Sequence, residues 1–144
     1  MTVALEGIKV VEMGGRVSAP FCAKLFSDYG AEVIKIESPE EVRWVAEILD
    51  QAGYAPTRLM VIIETGRALE AALDIAAASS RIDTMLFGAA DMSAEFGSTL
   101  DWEALHYARG RAVHAASSAG LDLIDVPSLD TKDEEGLKRE ARLA

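Results

Sequence analysis

Short apolar, partly β-branched runs alternate along the chain with longer stretches in which apolar residues return at helical spacing. Leu59-Met-Val-Ile-Ile and Thr84-Met-Leu-Phe are the clearest runs, each bounded by turn residues, and they predict buried strands. Ile8-Lys-Val-Val-Glu-Met and Glu32-Val-Ile-Lys-Ile-Glu predict two earlier strands, and Leu121-Asp-Leu-Ile-Asp-Val-Pro predicts a last one ending at Pro127. Between the first two, Pro20 opens a helix carrying Phe21, Leu25 and Phe26, and Gly30 stops it. That makes the first forty or so residues one βαβ unit.

Ser38-Pro-Glu-Glu is a helix start, with serine at the N-cap, proline at the first helical position and glutamate at the third. Val42, Val45, Ile48 and Leu49 form the stripe of that helix, with Trp44 beside them and Gly53 as its end. After Thr65-Gly66, an alanine-rich helix presents Leu69, Ala72, Ile75 and Ala76, a slim face suited to close packing on a sheet. Ser93 to Thr99 predicts a loop or a short turn of helix. From Asp101 to Ala119 a longer helix turns Trp102, Leu105, Ala108, Ala112, Val113 and Ala116 inward and stops at Gly120. Thr131-x-x-Glu134 is a second capping box, opening a charged final helix.

This order predicts an α/β fold with a mainly parallel sheet of about five strands and flanking helices. Two arrangements satisfy it: an open, doubly wound sheet, or part of a (β/α) barrel. The open form is favoured because parallel sheets are normally covered on both faces, whereas a partial barrel leaves edges and an inner face that another copy of the chain would have to cover.

Composition narrows the partners. With 24 acidic and 14 basic residues among 144, the net charge is −10 and the isoelectric point near 4.6, so nucleic acid and anionic membrane are poor partners. The single cysteine, Cys22, has no internal partner, and the N-terminus lacks the basic and apolar regions of a signal peptide. A cytoplasmic location is expected. Cys22, with apolar neighbours, reads as core filler, and Gly14-Gly15 lacks a dinucleotide fingerprint around it.

The candidate chemistry lies at the strand ends. Glu64 follows the Leu59 run and Asp91 follows Thr84 to Phe87 after Gly88-Ala-Ala, and ligands of α/β sheets gather where parallel strands end. The two carboxylates therefore make a candidate metal site. The alternative is that each caps the following helix, with Asp91 placed as an N-cap. Asp125 reads as a turn residue, and Arg67 and Arg109 either face an anionic substrate or are solvated and ion-paired. His106 and His114 lie about 80° apart around a helix and lack the i, i+4 spacing of a helical metal pair, so they read as surface or packing residues.

Two stretches resemble known families. Leu5-Glu-Gly-Ile-Lys-Val-Val-Glu, Ser18-Ala-Pro-Phe-Cys and Asp28-Tyr-Gly-Ala-Glu-Val-Ile-Lys-Ile-Glu resemble the N-terminus of family III CoA-transferases. The resemblance implies that Val17, Ser18 and Ala19 lie near CoA, while that family's catalytic aspartate belongs to a later segment. From about Lys35 onward, Lys35-Ile-Glu-Ser-Pro-Glu-Glu-Val, Ile63-Glu-Thr, Phe87-Gly-Ala-Ala-Asp-Met-Ser, Tyr107-Ala-Arg-Gly-Arg and Ala119-Gly-Leu-Asp-Leu-Ile-Asp resemble the citrate lyase beta subunit branch of the HpcH/HpaI aldolases. That resemblance implies a Mg²⁺-dependent carbon–carbon lyase acting on acyl-CoA thioesters, built on a TIM barrel, with Glu64 and Asp91 as the metal ligands and no further catalytic residue assigned. A TIM barrel takes about 250 residues and eight strands, against the five counted here. The chain then reads as a single α/β domain over 1–144, with 1–37 a CoA-transferase-like βαβ unit and 38–144 a set of citrate-lyase-beta-like β/α units. An inactive remnant, a CoA-transferase-like protein and a non-catalytic CoA-binding module are the alternatives to an active lyase.

Overall fold

The computed structural model describes residues 9–12, 32–35, 38–126 and 132–143, the first two segments by their backbone. The expected helix from Pro20, the candidate CoA residues Val17, Ser18 and Ala19, Gly14-Gly15 and Cys22 lie outside the described residues.

Five strands are found among the described residues, but they do not join into one sheet. β1 (Lys9–Glu12) and β2 (Glu32–Lys35) pair in parallel, Lys9 opposite Glu32 and Glu12 opposite Lys35. β3 (Leu59–Ile63), β4 (Ile82–Phe87) and β5 (Asp122–Ile124) form a separate three-stranded parallel sheet in the order β3-β4-β5. The expected single sheet of five is thus corrected to two parallel sheets. Apolar periodicity identifies each strand but carries no information on which strands pair.

The helices follow from local chemistry. α1 (Pro39–Gln51) starts where expected: the Ser38 hydroxyl accepts from the Glu41 amide at 3.3 Å, and Pro39 stands in the first turn. The alanine-rich segment divides at Ala71 into α2 (Gly66–Glu70) and α3 (Ala72–Ala76), with the Thr65 hydroxyl accepting from the Ala68 amide at 3.1 Å. α4 (Ala89–Phe96) occupies part of the stretch expected as loop, and Gly97, at φ 63°, closes it in the left-handed conformation that suits glycine. α5 (Trp102–Ser118) is the long helix, and α6 (Glu134–Leu143) the last. The Asp133 carboxylate accepts from the Gly136 amide at 2.9 Å at the start of α6, two residues after the expected cap Thr131, which lies outside the described residues.

One face of the three-stranded sheet makes the core. Leu59, Val61, Ile63, Ile82, Met85 and Phe87 are buried against Val42 and Val45 of α1, Leu69 and Ile75 of the alanine-rich segment, Met92 of α4 and Leu105 of α5. The alternate strand positions stay outside that core: Ile62, Thr84 and Leu86 are half-buried, and Met60 and Ile124 keep 50% and 47% of their surface. The described residues thus cover one face of this sheet more fully than the other.

Burial also departs from the expected stripes at particular positions. Ala46 is buried on α1 while Ile48 is half-buried; on α5, Arg109 and Ala115 are buried while Val113 is half-exposed and Trp102 half-buried. His106 and His114 are exposed, as expected.

Arg81 secures the connection into β3. Its Nη1 donates to the carbonyls of Tyr54, Ala55 and Thr57 at 3.0, 3.1 and 2.7 Å, Nη2 pairs with Asp50, and its own carbonyl accepts from the Leu59 amide. One buried cation thereby satisfies three carbonyls of the loop between α1 and β3. Arg58 instead forms an exposed pair with Asp83 at 2.8 Å, and that carboxylate raises the guanidinium pKa above its ordinary value. Removing the two arginines should have unequal consequences. Urea denaturation is expected to show Arg81→Met losing about 1–3 kcal/mol, because a buried cation that ties three loop carbonyls and Asp50 together is lost. Arg58→Met should leave the urea midpoint within error of the parent, since exposed pairs contribute little.

Candidate functional site

Parallel pairing of β3 with β4 sets Ile63 opposite Phe87, and the ladder is prolonged by the Gly88 amide donating to the Ile63 carbonyl at 2.9 Å. Glu64 is the next residue after β3. Asp91 is three residues beyond Gly88, in the first turn of α4, whose N-cap is Gly88. Both carboxylates therefore stand at the same end of neighbouring strands, as the sequence predicts. Asp91 does not act as the N-cap considered for it, because α4 begins two residues earlier, at Ala89.

Both are buried, Glu64 to 5% and Asp91 to 6% exposure. Burying a carboxylate costs several kcal/mol unless charge or hydrogen bonds compensate, and each of these two makes an interaction of its own. The position of Glu64 is fixed by a close approach of backbone. A Cβ built on Gly88 would lie 2.3 Å from Glu64 Cβ, 3.2 Å from its Cα and 3.0 Å from Oε2. No side chain fits there, so glycine is required for the Glu64 carboxylate to lie over the loop leading to Asp91.

Gly66 allows a looser approach, its added Cβ meeting the side-chain atoms Glu95 Oε1 and Phe96 Cε1 at 3.2 Å. The turn after β3 thus packs closely on the end of α4. Among the described residues, no group of three or more His, Cys, Asp or Glu side chains forms a metal cluster. What the chain offers a cation is two hard oxygen donors, a set that fits Mg²⁺, which commonly takes one or two protein carboxylates and completes its shell with water. The residues present therefore fit the ion that the family resemblance implies.

The other candidates separate from this pair. Arg67 is exposed at the start of α2, close in sequence to Glu64. Arg109 is buried and donates from Nε to both oxygens of Asp125 at 3.2 and 3.1 Å; Asp125 Oδ1 also accepts from the Val126 amide at 2.8 Å. Asp125, directly after β5, is thus an ion-pair partner. The Arg109 guanidinium lies 4.6 Å from the Trp102 ring centroid and 5.3 Å from that of Phe87. Sequence spacing placed Trp102 on the inward stripe of the helix but gave no sign of Arg109 as a buried, stacked cation. The aromatic two turns earlier on the same helix was the available signal.

Comparisons with known proteins agree with this arrangement. A model of the family described as HpcH/HpaI aldolase/citrate lyase matches residues 15–144, starting some twenty residues before the point expected from the motifs. The mitochondrial citramalyl-CoA lyase of Mus musculus is 30% identical over 128 residues, covering 76% of this chain and 37% of that protein. The chain thus spans little more than a third of that curated relative. The crystal structure of RipC from Yersinia pestis superposes with a TM-score of 0.68 at 34% identity, over 92% of this chain and 62% of that one. A different segment matches CoA-transferases: the (R)-2-hydroxy-4-methylpentanoate CoA-transferase of Clostridioides difficile is 61% identical over 36 residues, 25% of this chain and 9% of that protein. Matches of two kinds in two segments fit a chimeric chain. By the extent of the first match, the chain belongs to the HpcH/HpaI aldolase/citrate lyase family.

Proposed function

We propose that this chain carries the metal-binding part of a Mg²⁺-dependent carbon–carbon lyase acting on acyl-CoA thioesters, with Glu64 and Asp91 as the metal ligands. The observation that supports the reading is a pair of buried carboxylates at the ends of adjacent parallel strands, in a chain of the HpcH/HpaI family. The similarity to citramalyl-CoA lyases favours a β-hydroxyacyl-CoA substrate.

Cleavage of such a thioester is a retro-aldol step. The hydroxyl loses its proton, the carbon–carbon bond breaks, and its electron pair passes to the thioester as an enolate, which takes up a proton to give the shorter acyl-CoA beside an oxo-acid. Glu64 and Asp91 would hold the divalent cation, which when bound would supply Lewis-acid stabilisation of the charge that moves in this step. Glu64 and Asp91 hold negative charge at a fixed place away from bulk water, and Gly88 keeps the loop between them close. Arg67, exposed beside the turn after β3, provides positive charge toward an anionic substrate.

A second reading rests on the match to CoA-transferases. In it the N-terminal segment is a CoA-binding module, with Val17, Ser18 and Ala19 near the thioester, and catalysis is not required. Amide hydrogen exchange distinguishes this reading: CoA is expected to protect peptides covering residues 14–20, and unchanged exchange there at saturating CoA removes it.

For the lyase reading, a thermal melt with and without Mg²⁺ comes first. At a hundredfold excess over the dissociation constant, ligand binding adds about 2.7 kcal/mol, which raises the midpoint of a domain this size by several degrees. Asp91→Asn is expected to abolish that rise and the release of oxo-acid from citramalyl-CoA together; release at the parent rate from Asp91→Asn rules the assignment out. Gly88→Ala tests the close approach independently of turnover. Its Cβ must displace Glu64, so calorimetry should show a loss of about 1–3 kcal/mol and a smaller Mg²⁺-induced rise.

A further inference from the structure

The turn after β3 and the helix after β4 each lay a carboxylate over a glycine of the other. Glu64 lies over Gly88, where a Cβ would meet its Oε2 at 3.0 Å. In the opposite direction Glu95 lies over Gly66, where a Cβ would meet its Oε1 at 3.2 Å. Gly66 is two residues beyond Glu64, so their Cα atoms are at most about 7 Å apart. Glu95 is also one helical turn beyond Asp91 on α4, a spacing that sets Cβ atoms about 5–6 Å apart on one face. A third carboxylate therefore borders the Glu64–Asp91 pair.

The fold itself gives no reason for a charge at this position. Glu95 is half-buried, yet its carboxylate makes no hydrogen bond or ion pair among the described residues. Arg67 follows Gly66 and is exposed, but no salt bridge joins it to Glu95. The start of α2 already has its cap in the Thr65 hydroxyl, which accepts from the Ala68 amide. Like charges at i, i+4 weaken a helix, so Asp91 and Glu95 side by side are unfavourable unless something positive offsets them.

We infer that Glu95 is an outer carboxylate of the cation site, accepting hydrogen bonds from water held on the metal ion. The inference rests on the reading of Glu64 and Asp91 as the ligands and adds a residue to that site. Among the described residues no three such side chains come together as direct ligands, which leaves Glu95 one water away. Mg²⁺ keeps several waters at about 2.1 Å, and each donates over about 2.7 Å more, so a carboxylate about 4–5 Å from the ion is in reach. Outer partners of this kind orient the inner shell, and losing one lowers metal affinity about 10- to 100-fold.

Glu95→Gln removes the charge and keeps the shape of the side chain over Gly66. Mn²⁺, which favours the same oxygen ligands as Mg²⁺, is titrated into the whole chain at fixed ionic strength, and free ion is followed by electron paramagnetic resonance. Glu103→Gln, at an exposed position of α5, controls for the change in net charge. The expected result is one Mn²⁺ per chain in the parent and in both variants, with a dissociation constant about tenfold higher or more in Glu95→Gln alone. Without metal, Glu95→Gln should melt at the parent temperature or above it, since a like charge beside Asp91 has gone. Affinity in Glu95→Gln no weaker than in Glu103→Gln overturns the inference and leaves the Glu64–Asp91 pair standing. A metal-free midpoint several degrees lower overturns it as well, because the charge then serves the fold. A parent that binds no Mn²⁺ removes the Glu64–Asp91 reading, and this inference with it.

Discussion

The parallel pairing of β3 with β4 is the constraint on which the rest of the structure depends. It places Ile63 opposite Phe87 and so brings Glu64 and the loop through Gly88 to Asp91 to one end of the sheet. The pairing holds because one face of the two strands is closed off: Val61, Ile63, Met85 and Phe87 are fully buried together with Met92 and Leu105. Each such side chain contributes about 1.5–3 kcal/mol through burial. A slip of one residue would turn all of them outward and separate the carboxylates. Core packing and site geometry are thus the same requirement.

Two buried arginines do work that the apolar core cannot. Arg81 gathers carbonyls of the loop before β3, and Arg109 ties the middle of α5 to the end of β5 through Asp125. Both are long-range links between elements that are distant in sequence. The sheet is therefore anchored at its beginning by one guanidinium and at its last strand by another.

Much of this was legible in the sequence, and the reasons are local. Ser38-Pro-Glu-Glu announces α1 because capping is decided within four residues. The runs at Leu59 and Thr84 announce strands with a carboxylate beyond each, whereas the close approach of Gly88 to Glu64 follows from the pairing of β3 with β4. What was not legible depends on contacts across the chain. Splitting of the strands into two sheets is a matter of pairing, which no periodicity records. Helix α4 was hidden by Ser93 and Gly97, weak helix formers in isolation, and forms where Met92 is buried in the core. Arg109 broke the apolar stripe of α5 on paper and completes it in space, with Trp102 and Phe87 close to its guanidinium.

The central claim is that Glu64 and Asp91 together hold one hard cation at the ends of β3 and β4. Electron paramagnetic resonance of Mn²⁺, an oxygen-seeking stand-in for Mg²⁺, counts bound ions directly. The account predicts one bound Mn²⁺ per chain in the parent and its loss in both Glu64→Gln and Asp91→Asn. A folded parent that binds no Mn²⁺, or binding that survives in the Glu64→Gln, Asp91→Asn double variant, contradicts it.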